Sequence, residues 1–510
     1  MILIKARKIL SVAILLLFVL LFTGTGNISV FLSETLPPFQ FFPALLRIIT
    51  QPESLFIAGL IFIVLMTLIF GRIYCSFLCP LGTIQDLLIW GSRRMGLKSG
   101  SSFSKPHNGL RHTILVLAAA AAAIGFLFPI LLLDPYSLAG RIFTYFLQPL
   151  VVQAYNLGIL TLKPFDVYLY PKQTAFIPFT ALGATAVFIA LILYLCAKHG
   201  RLYCNTLCPV GTFLGLISRM SFFRFTLNRT VCSECSQCEN VCKAQCIDLQ
   251  DGSMDMSRCV GCFNCLDACS RGTIRYERRQ GQKSMHPWSP GRRGFLIGGI
   301  AAAAAFLAAK ANPLWIPGIP SGPADPPVTP PGSLNATRFT QACTACSLCI
   351  GACPTQVLTP ALLDYGIAGL MQPKMNYEKS YCEYECNICA KICPTGAILP
   401  LSLDEKKLTQ IGEAKLLEDI CVVYVEHNNC GACGEVCPTH AIRFVDKNNI
   451  LHPEIDKKYC IGCGACQLAC PTIPRSIVVH ARPIHQKAEK YIRSEKTVNE
   501  QKTVDPSFPF

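Results

Sequence analysis

The chain has 510 residues, 51% hydrophobic and 15% charged, with a mean hydropathy of +0.40. It is too long for one compact core, and too apolar for a wholly soluble enzyme or a disordered polypeptide. Lys and Arg (46) outnumber Asp and Glu (31), but the excess lies entirely before residue 331, among the apolar runs; residues 331–510 carry 18 of each sign. Cations placed this way flank membrane spans, which excludes a nucleic-acid partner.

In chain order, uncharged segments at 9–26, 54–71, 113–133 and 174–195 are each long enough to cross about 30 Å of hydrocarbon. The first follows Lys5, Arg7 and Lys8 as in a signal peptide, yet no convincing cleavage site follows, so an uncleaved span is expected. Loop 72–112 holds six Lys/Arg, whereas 27–53 holds one and 134–173 three. The positive-inside rule then puts the amino terminus, loop 72–112 and the residues after Lys198 in the cytoplasm. Residues 142–162 are also uncharged, but Gln148, Pro149, Gln153 and Asn156 interrupt them, and an interfacial or re-entrant helix is expected.

Two segments repeat. GRIYCSFLCPLGTI at 71–84 and GRLYCNTLCPVGTF at 200–213 agree at nine of fourteen positions, each after the second span of a hairpin. The spans therefore form two related hairpins, which sets the pairs Cys75/Cys79 and Cys204/Cys208 equivalently about a pseudo-two-fold at the cytoplasmic interface. Within each pair the thiols lie about one helical turn apart, which suits a redox dithiol, a metal site shared between repeats, a docking point, or plain packing.

Most of the remaining cysteines fall into six motifs. Cys232, Cys235, Cys238, Cys242 and Cys259, Cys262, Cys265, Cys269 are spaced x2, x2, x3, as are Cys343, Cys346, Cys349, Cys353 and Cys460, Cys463, Cys466, Cys470. Cys382, Cys386, Cys389, Cys393 open with x3, and Cys421, Cys430, Cys433, Cys437 open with x8. Three closely spaced thiolates with a fourth behind suit a cubane [4Fe-4S] cluster, the fourth normally serving a neighbouring cluster; zinc sites more often use separated Cys-x2-Cys knuckles. Six [4Fe-4S] clusters are thus expected. In the last four motifs the expected partners are first with last and second with third, and Val357, Ile398, Ile442 and Ile477 look like short strands covering the clusters. Cys196 reads as a small apolar filler and Cys246 as a spare thiol. No Cys-x-x-Cys-His, no histidine within a proposed span, no phosphate-binding lysine loop and no dinucleotide glycine fingerprint occurs.

The expected architecture is multidomain. An α-helical membrane bundle of four spans plus a fifth, twin-arginine-type span carries two α+β ferredoxin-like modules. Residues 1–215 form the membrane domain with both repeats, and 216–280 a cytoplasmic two-cluster module. Residues 281–311 read as a signal or anchor span, since Arg292-Arg293-Gly294-Phe295-Leu296 precedes a weakly hydrophobic stretch. A proline-rich linker at 312–337, a periplasmic four-cluster domain at 338–482 and a polar tail at 483–510 complete the chain.

These motifs resemble a fusion of two families. The first 280 residues resemble the NapH-type polytopic quinol dehydrogenase subunit, with four spans, two Cys-x3-Cys-Pro motifs and a two-cluster module. The remainder resembles the NapG/MauM-type periplasmic ferredoxin, including the x3 and x8 variants. Lys243 and Ser270 depart from the pattern, standing where proline is common. The resemblance implies a multi-pass protein of the bacterial inner membrane that oxidises quinol and passes electrons to a periplasmic reductase, such as nitrate reductase, or to a cytochrome. An electron-donating maturation factor for a metalloenzyme and a docking scaffold stay open as alternatives. No catalytic residue is assigned. A quinone pocket is expected near Asp134, Pro135 and Tyr136 or the 142–162 segment, where a carboxylate can take the quinol proton.

Overall fold

The computed structural model describes residues 2–24, 27–96, 103–163, 166, 169–174, 176–279 and 326–491. The twin-arginine segment, the fifth span and most of the linker and tail lie outside them. The first 218 residues are helical: α1 (Ile2–Thr23), α2 (Asn27–Thr35), α3 (Phe41–Thr50), α4 (Ser54–Phe70), α5 (Tyr74–Phe77), α6 (Pro80–Arg94), α7 (Asn108–Ala123), α8 (Phe128–Leu133), α9 (Pro135–Ile142), α10 (Gln148–Leu162), α11 (Phe179–His199) and α12 (Pro209–Ser218).

Among the described residues only Leu3–Thr23 of α1 and the whole of α11 are long and apolar enough, at 21 residues each, to cross a membrane by length and composition. The expected second span is the 17-residue α4, stopped by Gly71 at φ +82°. The expected third is broken: α7 ends at Ala123, Gly125 takes φ +78°, and α8 resumes at Phe128. A positive φ lets glycine turn the chain where other residues are strained, and Phe128-Pro129 restarts the helix. Residues 142–162 are helical throughout, α9 running through a π turn at Phe143–Leu147 into α10.

Both repeats use the same local devices. Gly71 and Gly200 close α4 and α11 with positive φ. Cys79 and Cys208 are the N-caps of α6 and α12, at φ/ψ −75°/117° and −74°/116°, each followed by proline at the first helical position. The N–H of Cys79 bonds to the Tyr74 carbonyl at 3.1 Å and that of Cys208 to the Tyr203 carbonyl at 2.9 Å, closing both Cys-x3-Cys loops alike.

Two α+β modules pack on this helical unit. In the first, β1 (Phe223–Leu227) pairs antiparallel with β4 (Ile274–Arg278), and β2 (Ile247–Asp248) with β3 (Ser253–Met254). In the second, β5 (Leu358–Pro360) pairs with β6 (Pro373–Met375), β8 (Ile442–Lys447) with β9 (Ile450–Ile455), and β10 (Ile477–Lys487) with β7 (Thr409–Leu416). Val357, Ile398, Ile442 and Ile477 are all buried, the last two opening β8 and β10, whereas Ile398 sits in a bend.

The second module extends beyond its expected limits at both ends. Val328 is buried and its carbonyl accepts the Met375 N–H, so the linker's last residues are core. Beyond residue 482, Gln486 and Lys487 pair with Gln410 and Thr409 after a bulge in β10, and Ala488 is buried. The bulge hides the period-2 pattern that would have marked this stretch as strand.

The two modules are tied to α1 near opposite ends, the first through Asp86 of α6 and the second directly. Arg7 binds Asp86, which also binds Lys243 of the first module, while the Phe22 ring and carbonyl lie against Gly140 and Gly351, beside Cys346 and Cys349 of the second. Fifteen helical residues at 1.5 Å each separate these contacts by roughly 22 Å.

Candidate metal centres

The cysteines of the six ferredoxin-type motifs gather into six groups of four, as their mutual electrostatic influence shows. Site I combines Cys232 and Cys238 with Cys269, Cys235 belonging to it by its place in the motif, and site II combines Cys259, Cys262 and Cys265 with Cys242. Each motif thus lends its fourth thiol to its neighbour. Cys246 lies 3.6 Å from Cys242, sulfur to sulfur, buried at the side of site II.

In the second module the exchange differs from expectation. Site III holds Cys343, Cys346, Cys349 and Cys393; site IV holds Cys382, Cys386, Cys389 and Cys353. Site V holds Cys460, Cys463, Cys466 and Cys437; site VI holds Cys421, Cys430, Cys433 and Cys470. The first motif therefore pairs with the second and the third with the fourth, not first with last. The reason is short-range topology: the strand pairs β5–β6 and β8–β9 each lie between the two motifs that exchange thiols and bring their ends together. Sites III, V and VI each enclose a cavity lined by their four cysteines and otherwise mainly by apolar residues.

These cavities fit iron-sulfur clusters. Their walls are dry, and burial pushes the Cys463 thiol up to about 12 and Cys433 up to about 11. Iron supplies the positive charge that lets such thiols ionise. At Cys470 burial raises the thiol, but bonds from the Ser476 and Thr472 hydroxyls outweigh it and bring it down to about 7. Among the described residues no three His, Cys, Asp or Glu side chains stand close enough to ligate one metal ion. The thiols are spread in groups, not drawn onto a single point.

Sites III to VI are strung in a fixed order. Sites III and IV share their motifs, as do V and VI, and the Cys382 N–H donates to the Cys463 carbonyl at 2.8 Å, joining IV to V. Site III faces the helical unit. There Ser347 donates to Tyr145 (2.8 Å), Gln148 to the Gly351 carbonyl (2.7 Å) and Thr50 to the Thr395 carbonyl (2.8 Å). Asp134 caps α9 through the Tyr136 and Ser137 N–H groups, and Tyr136 is buried within electrostatic reach of Cys346 and Cys393. At the position expected for quinone, Asp134 and Tyr136 are both buried, and Phe18 and Phe22 pack against the Tyr136 ring.

The four repeat cysteines also come together. Cys75, Cys79, Cys204 and Cys208 are all buried in one core cluster and within electrostatic range of one another. Sequence reasoning passed over the residues that frame them. Arg72 and Arg201, both fully buried, cross over to the opposite repeat: Arg72 donates to the Cys204 carbonyl (3.1 Å) and Arg201 to the Cys75 carbonyl (2.7 Å). Their identity at equivalent places in the repeat was the available signal. Cys196 is buried on α11.

Comparison with known proteins agrees with this chemistry. A 4Fe-4S binding domain family model matches residues 55–98 and 179–230, and two 4Fe-4S dicluster domain models match 342–398 and 428–473. The ferredoxin-type protein NapH of Haemophilus influenzae is 26% identical over 45% of this chain and 70% of its own length. NapH of Escherichia coli is 24% identical over 48% and 72%, and the methylamine utilization ferredoxin-type protein MauN of Paracoccus denitrificans 27% over 34% and 49%. No solved structure matches. The chain thus carries 4Fe-4S binding domains and is similar to ferredoxin-type proteins.

Proposed function

We propose that this chain is a membrane-bound electron-transfer protein that holds six [4Fe-4S] clusters in sites I to VI, oxidises quinol and passes electrons to a periplasmic oxidoreductase such as a nitrate reductase. The observation that carries the reading is the placement of the sites: two lie at one end of an apolar helical unit, and four run outward in sequence from the other. Bound clusters supply one-electron transfer; the chain holds them apart from water and fixes their spacing.

Large apolar side chains stand exposed on α1, α4, α7, α10 and α11, including Leu16, Phe62, Leu117, Leu157 and Val187. A band this wide has no place in water and supports a membrane setting for all these helices. At 17 residues α4 is at the short limit for spanning, and α7 with α8 cross as a broken pair. The sidedness follows the basic loop 72–112, with sites I and II in the cytoplasm and III to VI in the periplasm. Quinol donation is tested on the purified full chain: addition of a reduced menaquinol analogue under anaerobic conditions should bleach cluster absorbance within the mixing time. Clusters that stay oxidised with menaquinol and ubiquinol analogues, but respond to dithionite, would remove quinol from the reading.

A further inference from the structure

We propose that the two Cys-x3-Cys-Pro repeats jointly build a seventh metal site, a tetrathiolate iron-sulfur centre of Cys75, Cys79, Cys204 and Cys208 between the two ferredoxin modules.

Three independent features converge on it. The first is the donor set: four buried thiols, two from each repeat, lie within electrostatic range of one another, and Arg72 and Arg201 each cross to the other repeat's loop. The second is the backbone. Cys79 and Cys208 cap the 15-residue α6 and the 10-residue α12, whose free N–H groups and positive dipole ends stabilise negative charge placed at the sulfurs. The Gly211 N–H donates to the Cys208 sulfur at 3.3 Å. Gly82 and Gly211 sit alike: a Cβ on either would lie 2.1 Å from the carbonyl of Cys75 or Cys204, so both repeats press backbone tightly around the thiols.

The third feature is charge. Arg201 has a carboxylate partner in Asp86, at 2.7 Å. Among the described residues Arg72 binds neutral acceptors, namely the Asn205 side chain and the Ser257 and Cys204 carbonyls, with the Cys75 sulfur at 3.9 Å. A fully buried guanidinium cannot shed its proton and is strongly disfavoured without a counter-ion. A tetrathiolate iron-sulfur centre is an anion in both redox states and supplies that charge. Free cysteines used only for packing would need neither the arginines nor the duplicated caps.

The position gives the site a role. On one side Ser76 donates to the Val260 carbonyl at 2.7 Å, one residue from Cys259 and two from Cys262. On the other, Gln40 donates to the Leu78 carbonyl, and seven residues on, Arg47 reaches the Cys393 carbonyl of site III. That is roughly 10 Å of helix. The gap between the modules is thereby divided in two. One electron enters from one module and one leaves to the other, with no bond made or broken and no proton required.

The inference uses the six-cluster reading only as a baseline and needs neither quinol nor a named acceptor. The test is iron and acid-labile sulfide per full chain, purified anaerobically in detergent, for wild type and C75S/C208S. The expected result is a loss of about four irons and four sulfides for a cubane, or about two and two for a [2Fe-2S] centre, while the ferredoxin signals persist. Equal iron and sulfide in a folded double variant would overturn it. Should that variant not fold, wild type decides: spectroscopic integration above six clusters supports the site. Six clusters only, with these four residues alkylated as free thiols or found as disulfides, sinks it.

Discussion

Replacing Asp86 by Asn is the sharpest probe of how the helical unit and the first ferredoxin module are joined. One carboxylate, 13% exposed, binds Arg7 at 2.8 Å, Arg201 at 2.7 Å and Lys243 at 3.0 Å, from α1, the second repeat and the ferredoxin module. Asn keeps the shape and removes the charge. Taking one partner from a buried ion pair costs about 3–5 kcal/mol, because the cations left behind stay desolvated. Arg201 retains the Cys75 and Gly82 carbonyls, and Lys243 can release its proton whereas the arginines cannot. The net loss should therefore fall near the lower limit, about 3 kcal/mol. For a unit of this size that lowers the melting temperature by roughly 6–12 °C. The assay is thermal unfolding of the full chain in detergent, with iron content checked first to confirm that every cluster is loaded. Adding Lys243→Met should recover part of the loss. An Asp86→Asn protein melting within about 1 °C of wild type would refute the reasoning, since it would mean water reaches these cations.

Cluster pairing can be read from single Cys→Ser variants: Cys343→Ser and Cys393→Ser should perturb one and the same EPR signal, and Cys353→Ser should match Cys382→Ser. If Cys343→Ser matched Cys470→Ser instead, the first-with-last arrangement would stand. Gly140→Leu places a Cβ where 2.3 Å separates it from the Cys346 carbonyl, so site III must move off α9 by about 1 Å. Overpacking of this kind costs about 1–3 kcal/mol and should speed protease cleavage between the modules; unchanged cleavage counts against the docking surface. His485, held by burial at about 4 with its ring 2.9 Å from the Thr329 hydroxyl, binds fewer protons folded than unfolded. Its contribution is complete above about pH 6.5 and is lost as pH falls toward 4, about 2 kcal/mol after allowing for partial exposure. His485→Gln should flatten the fall in melting temperature over that window, and an unaltered pH slope would show the ring does not titrate there.

The cysteine motifs were legible because ligand spacing is local: three thiols within seven residues announce a cluster whatever surrounds them. Which motif lends its fourth thiol to which is a tertiary fact, and the pairing of Cys393 with Cys343 left no trace in spacing. The break in the expected third span was hidden for a related reason. Hydropathy over 113–133 is uninterrupted, yet Gly125 turns the chain, and a single φ does not alter a hydropathy sum. Arg72 and Arg201 were visible within the repeat, but a lone arginine after glycine reads as a flanking charge until its burial is known. The docking of site III on α9 was hidden by the proline-rich linker, which suggests independent bodies. Only contacts such as Ser347 to Tyr145 show that they meet.

The internal symmetry explains why the helical unit has two polar ends and a sulfur-rich centre. Each repeat loop must turn sharply after its helix, and each does so with a glycine that leaves room for a ferredoxin loop: a Cβ on Gly200 would lie 2.4 Å from the Lys243 carbonyl. The turn of repeat one carries the 257–262 loop, through Arg72 to Ser257 and Ser76 to Val260, and that of repeat two carries 243–244, through the Arg201 N–H and Asn205. The repetition of the two loops is thus matched by the first module, whose motifs exchange their fourth thiols in a reciprocal way. Site II, built from Cys242 and the 259–265 thiols, draws on both loops at once and lies against the helical unit. Site I, with Cys235 exposed, is left outermost. On the opposite face nothing repeats: α3 and α9 each reach a different part of site III. A half that gathers cysteines between its two repeated loops and a half that presents a single site give the helical unit two unlike faces.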